Sequence, residues 1–206
     1  MKIKKTPILL TAVYGICILL LVCCFYVGTT YNIPFEKITG DPANYFQSHP
    51  LTGIISNLGA LLWCITSSIC FYTGFYLKEQ TTNKKALFLI YSGLFSFVLL
   101  IDDFFMFHDF LFYSINGFYM EPLFYVVYLF FLVRYCIAYY KTILENNYIL
   151  LGVAVAFLGL SVVLDLVMKS EGLQYFFEDS FKFIGIVSWM LFFTTSSYKI
   201  LSEKNI

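Results

Sequence analysis

The sequence predicts an all-α, polytopic membrane protein with six transmembrane helices and both termini cytoplasmic, folded as a single helical-bundle domain over residues 1–206. Three observations predict it. Of the 206 residues, 60% are hydrophobic and only 13% charged, against about 25% charged in an ordinary soluble domain. Apolar blocks recur that reach the roughly 20 residues a helix needs to cross a hydrocarbon core of about 30 Å. The 13 Lys and Arg residues gather in alternate connections, as orientation-setting charges do.

The first span is expected over residues 7–27, behind the basic start Lys2, Lys4 and Lys5. Its apolar part is long and no small-residue cleavage site follows, so it reads as a retained helix rather than a signal peptide. Residues 28–50 form the longest connection. Pro34, Pro42 and Pro50 interrupt it and prevent a continuous helix. Its aromatics Phe35, Tyr45 and Phe46 suit a segment at the membrane surface. The second span, 51–77, carries Ser56, Asn57 and Trp63. The third, 86–107, runs into the stretch LLIDDFFMFHDFLF at residues 99–112, and an Asn116-Gly117 turn signal follows. The fourth, 121–143, opens on Glu121-Pro122, a proline in a helical first turn beside an acid at the positive dipole end. The fifth, 148–168, has Gly152, Ala156 and Gly159 as a small-residue surface for close helix contact. The sixth, 178–201, begins Glu178-Asp179-Ser180, where the acids would lie in the first turn.

With the N-terminus cytoplasmic, ten basic residues fall on that side and only Lys37, Lys169 and Lys182 on the other. Ten of the 13 acids then fall outside. The expected location is a bacterial inner membrane, with the lipid bilayer as the principal partner. No basic tail or stripe suggests nucleic acid. The six cysteines all lie in predicted spans, which favours small packing residues over disulfides or thiol metal sites.

Within residues 99–112, Asp102, Asp103, His108 and Asp109 interrupt an aromatic run. Ionisable residues inside a span are costly and mark functional sites by default. On a helix Asp103 shares a face with Ser96 and Ser92, while Asp102 lies about 100° away. On the sixth span Glu178, Lys182, Gly185 and Trp189 share a face, and Glu178 to Lys182 is the favourable order for an ion pair. Asp165 on the fifth span sits one turn from Ser161. A bundle can bring Asp102, Asp103, His108, Glu121, Asp165, Glu178, Asp179 and Lys182 to one outer centre, with Ser56 and Asn57 as neutral ligands. Its excess of acids must be relieved by protonation, water or a bound cation. Carboxylates with one imidazole suit a divalent metal ion. For each residue a structural role competes: helix capping for Glu178 and Asp179, charge neutralisation for Lys182, core packing for Trp63 and Trp189.

The segments GIISNLGALLWC, LLIDDFFMFHD and EDSFKFIGIVSW resemble those of an uncharacterised family of bacterial multipass membrane proteins. That resemblance covers most of the chain and implies no activity. A second similarity, to the alkaline ceramidase and adiponectin-receptor superfamily, rests on Ser56 in the second span and Asp103 in the third. That superfamily consists of membrane hydrolases built around zinc, a site that does not carry over to this chain. The chain lacks that superfamily's second-span histidine, final histidine pair and seventh span, since its only histidines are His49 and His108.

The expectation is therefore an outward-facing acidic pocket that binds a cation. In a hydrolase version a divalent metal activates water against a lipid or small amphiphile, with Asp102, Asp103 and Lys182 as catalytic groups. The alternatives are a substrate-binding or transport component, and a structural subunit whose polar network only locks the helices.

Overall fold

The computed structural model describes residues 6–40, 46–49, 51–80, 84–107, 121–167 and 173–203. Among these residues every regular element is a helix: α1 (Thr6–Thr30), α2 (Phe35–Thr39), α3 (Ile54–Gln80), α4 (Lys84–Phe105), α5 (Glu121–Glu145), α6 (Tyr148–Val167) and α7 (Leu173–Ser202). Each of α3 to α7 is long and apolar enough to cross a membrane. The fold is that of a helical integral membrane protein. The chain's contacts divide into two units, Met1–Thr52 and Gly53–Ile206.

In the first unit α1 runs for 25 residues and then reverses. Asn32 takes a positive φ of 51°, and the Ile33 amide returns to the Gly28 carbonyl. Phe35, at the start of α2, then stacks on Phe25 with ring centroids 5.6 Å apart. Gly28 makes room for this, because a Cβ there would stand 2.8 Å from the Phe35 ring. Among its described residues the connection, in which proline is expected to prevent a continuous helix, holds one short helix set between Pro34 and Gly40.

In the second unit α3 begins at Ile54, three residues later than the apolar pattern suggests. Gly53, at φ +68°, lies outside the helical region and accepts the Asn57 amide. The α4 helix ends at Phe105 because Met106 adopts φ +50°, a left-handed conformation that side chains other than glycine rarely take. The expected continuation to Phe107 fails there. At the other end of the unit, α7 starts at Leu173 rather than at Glu178. Glu178 and Asp179 therefore lie beyond the first turn, which holds no acid, and dipole capping of that turn does not explain them.

The core lies where α3 and α7 run parallel with α4 antiparallel to both. Trp63, Phe88, Leu89, Ile186, Trp189, Phe192 and Phe193 are all buried, so the two tryptophans are core residues as expected. Small residues set the spacing. A Cβ on Gly93 would come within 2.9 Å of Phe71, and one on Gly74 within 2.7 Å of Ile90. The approach of α6 to α7 is as tight, since a Cβ on Gly185 would meet Leu158 Cγ at 2.7 Å and its backbone nitrogen at 3.0 Å. Gly185→Val is expected to cost about 2 kcal/mol through overpacking, read as a lower midpoint of unfolding in detergent, whereas Gly152→Val costs almost nothing. The reason for the contrast is that Gly152 and Gly159 have nothing within 4 Å. The small-residue surface expected to carry α6 into the bundle is not the one in contact.

Down the facing sides of α4 and α7 runs a polar seam. Lys182 pairs with Asp103. Seven residues along each helix, the Trp189 indole N–H donates to Ser96 Oγ at 3.0 Å. At the far end, Lys85 bridges Glu203 at 2.8 Å and Glu145 at 3.8 Å, while Lys199 donates to the Glu145 carbonyl. The hydrogen bond from Lys85, aided by its charge, holds the exposed Glu203 carboxyl below its ordinary range.

Candidate functional site

At the Asp103 end of the second unit, α3, α4 and α7 enclose a small cleft lined by Ile55, Ser56, Gly59, Asp103, Asp179, Lys182, Phe183 and Ile186. Its accessible volume is about 10 Å³, on the order of what one water needs. Each polar member arrives by helical periodicity. Asp103 lies in the last turn of α4, on the Ser96 face. Asp179 and Lys182, three residues apart on α7, share a face with Ile186. Ser56 enters from the first turn of α3, and Gly59, one turn on, keeps the α3 surface low enough for Ile186 Cδ1 to sit 3.1 Å from where a Cβ would be.

The electrostatics are lopsided. Lys182 is ion-paired with Asp103 and also feels Asp179 and Glu178. One ammonium thus stands among three carboxylates. The Asp103 side chain is 9% exposed while that of Lys182 is 35% exposed. Oδ1 of Asp103 takes part in the pair; Oδ2 is buried without a hydrogen-bond partner among the described residues. A buried carboxylate oxygen without a donor is costly, and a cation or proton in the cleft relieves that cost.

The remaining expected site residues divide. Asp102, buried at 7% exposure, turns away from Lys182 to α5 and accepts the Tyr128 hydroxyl. This follows from its angular offset from Asp103 on α4. Asp165 of α6 likewise accepts the Tyr125 hydroxyl, at 2.8 Å. The acids expected to form one centre therefore form two groups, one around Lys182 and one clasped by tyrosines of α5. Asn57 is exposed on α3 and is not among the cleft-lining residues. Glu121 opens α5, but its side chain, like His108 and Asp109, lies outside the described residues. Among the described residues no group of three or more His, Cys, Asp or Glu side chains is placed to hold a metal ion.

Tyr125 and Tyr128 escape sequence reasoning because 17 tyrosines are spread along the chain. The usable signal is their i, i+3 spacing in the first turns of the helix that follows the Asp102 stretch. Comparison with known proteins adds no activity, since no curated protein and no solved structure matches the chain. A family model described as Domain of unknown function (DUF8692) matches residues 10–196, and the chain belongs to that family.

Proposed function

We propose that the chain is a six-span integral membrane protein, termini on the cytoplasmic side, that binds a small cation in the cleft between Asp103 and Asp179 at its outer end. In this reading α1 is a span in addition to α3 to α7, and the lysine-rich ends of α4 and α7 face the cytoplasm. The observation that carries the proposal is the buried Oδ2 of Asp103, without a hydrogen-bond partner among the described residues, in the wall of a cleft with more carboxylates than ammonium groups. A cation binds there by sharing Asp103 with Lys182, and Ser56 and water supply neutral ligands. Binding is favoured over metal-dependent hydrolysis of a lipid or amphiphile because the cleft lining offers two carboxylates, and a serine hydroxyl is not one of the His, Cys, Asp or Glu ligands of which a catalytic zinc takes three.

The test is a titration of purified protein in nanodiscs with Na⁺, K⁺, Mg²⁺, Ca²⁺, Mn²⁺ and Zn²⁺, followed by calorimetry and thermal unfolding, with elemental analysis of the protein as isolated. One of these ions should raise the unfolding midpoint, by the equivalent of about 2.7 kcal/mol when present at 100 times its Kd. Asp103→Asn should abolish the effect. No heat and no shift with any ion would defeat the proposal.

The polar seam favours a second, structural reading, in which Lys182–Asp103, Trp189–Ser96 and Lys85–Glu203 merely fasten α4 to α7. In that case Asp103→Asn lowers stability equally with and without added ions.

A further inference from the structure

Room, charge and donors together decide which cation the Asp103 cleft can hold. The room is that of about one water. Mg²⁺ usually keeps several of its own waters, and Ca²⁺ takes about six to eight oxygen ligands. Among the described lining residues the side-chain oxygens come from Asp103, Asp179 and Ser56 alone. No imidazole or thiol stands among them to suit a softer ion, and no described group of three or more His, Cys, Asp or Glu is placed to hold a metal.

The charge points the same way. The described lining carries two carboxylates and the one ammonium of Lys182, which leaves a single negative charge unmatched. Glu178 lies about 100° round α7 from Asp179. It is not among the lining residues and is half-buried, so water shares in balancing its charge. An uncompensated buried charge is strongly unfavourable. One monovalent ion brings the lining to neutrality, whereas a divalent ion overshoots it. Asp103 offers the guest a definite place. Its side chain is 9% exposed, Oδ1 is held by Lys182, and Oδ2 is buried with no hydrogen-bond partner among the described residues.

We infer that the cleft takes a monovalent metal cation stripped of most of its water, and that Lys182 is the residue that sets this choice. The inference rests on the cation-binding reading above and deepens it. Lys182 acts as a resident cation: it fills one side of Asp103 and repels a second charge in proportion to that charge. A doubly charged ion therefore meets twice the repulsion that Na⁺ or K⁺ meets.

The experiment measures thermal unfolding and binding heats of the full chain in nanodiscs of uncharged lipid, titrated separately with Na⁺, K⁺, Mg²⁺ and Ca²⁺. In the wild type Na⁺ or K⁺ should bind more tightly than either divalent ion. In Lys182→Met the preference for divalent over monovalent ions should rise about a hundred-fold, the difference made by one unit charge a few ångströms away. Asp179→Asn keeps the Asp103–Lys182 pair and makes the lining neutral. It should weaken Na⁺ or K⁺ binding about a hundred-fold, and it keeps the inference falsifiable if Lys182→Met does not fold. A wild type that prefers Mg²⁺ or Ca²⁺, an order unchanged in Lys182→Met, or an affinity unchanged in Asp179→Asn overturns the monovalent assignment while cation binding stands. A wild type that responds to none of the four ions overturns the assignment together with the reading beneath it.

Discussion

Lys182→Met is expected to destabilise the protein by about 3 kcal/mol, the range for removing one partner of a buried ion pair, and by more than Asp103→Asn does. The asymmetry follows from exposure. Asp103 is 9% exposed and Lys182 35%. Without the ammonium, a nearly dry carboxylate is left beside Asp179 with no cation. Without the carboxylate charge, the ammonium still has Asp179, Glu178 and water. Asn at position 103 also supplies an amide N–H₂ that can donate inside the cleft, where the native Oδ2 has no donor among the described residues. Denaturation of both variants in detergent, followed by tryptophan fluorescence, gives the order directly. Equal losses, or a larger loss for Asp103→Asn, would mean that the buried charge is not what the pair neutralises.

The double variant Lys182→Met/Asp103→Leu separates stability from binding. Replacing both members of a buried ion pair by apolar residues is often neutral, so it should regain most of the stability lost by Lys182→Met. It should not regain cation binding. A double variant that still binds the cation moves the site away from Asp103. A double variant as unstable as Lys182→Met alone implies that the pair supplies shape as well as charge.

Much of the fold is legible in composition and spacing, because a bilayer constrains both. Helix existence follows from apolar length, and the facing surfaces of α4 and α7 follow from seven-residue spacing: Asp103 with Ser96, Lys182 with Trp189. Those two sets meet in the structure. What was not legible lies at helix ends and between helices. Met106 stops α4 by a backbone conformation that no residue preference announces. The α7 helix starts early because Leu173 to Phe177 continue an aromatic, helix-compatible run, so the acids fall in its second turn. Gly152, Ala156 and Gly159 look like a packing surface, yet Gly185 does that work. Spacing within one helix cannot say which of two small surfaces meets a neighbour. The acids divided for the same reason: adjacent Asp102 and Asp103 point about 100° apart, and only the neighbouring helices decide that one finds lysine and the other tyrosine.

Trp189→Ala is the second large effect, about 3 kcal/mol, at the lower edge of the range for aromatic truncation in a core. Trp189 is 1% exposed. Its ring meets Trp63 at 5.8 Å, Phe95 at 5.9 Å and Phe193 at 5.0 Å, so it joins α3, α4 and its own helix at one point. In a membrane the usual reward for burying apolar surface is small, because lipid is as apolar as the core. The loss must then come from broken packing and from the Trp189–Ser96 hydrogen bond. Trp189→Phe divides those two parts. It keeps a ring, removes the indole donor, and leaves Ser96 free to donate its hydroxyl to the carbonyl one turn back, so about 1 kcal/mol should be lost. If Trp189→Phe cost as much as Trp189→Ala, the hydrogen bond rather than ring packing would hold the seam. Position also links this substitution to the cleft. Trp189 lies about two turns from Lys182 on the same face, and it spaces α7 from α4 where Asp103 must reach the ammonium. Trp189→Ala should therefore weaken cation binding as well as stability, whereas Gly185→Val, which pushes α7 away from α6 instead, should lower stability and leave the affinity nearly unchanged.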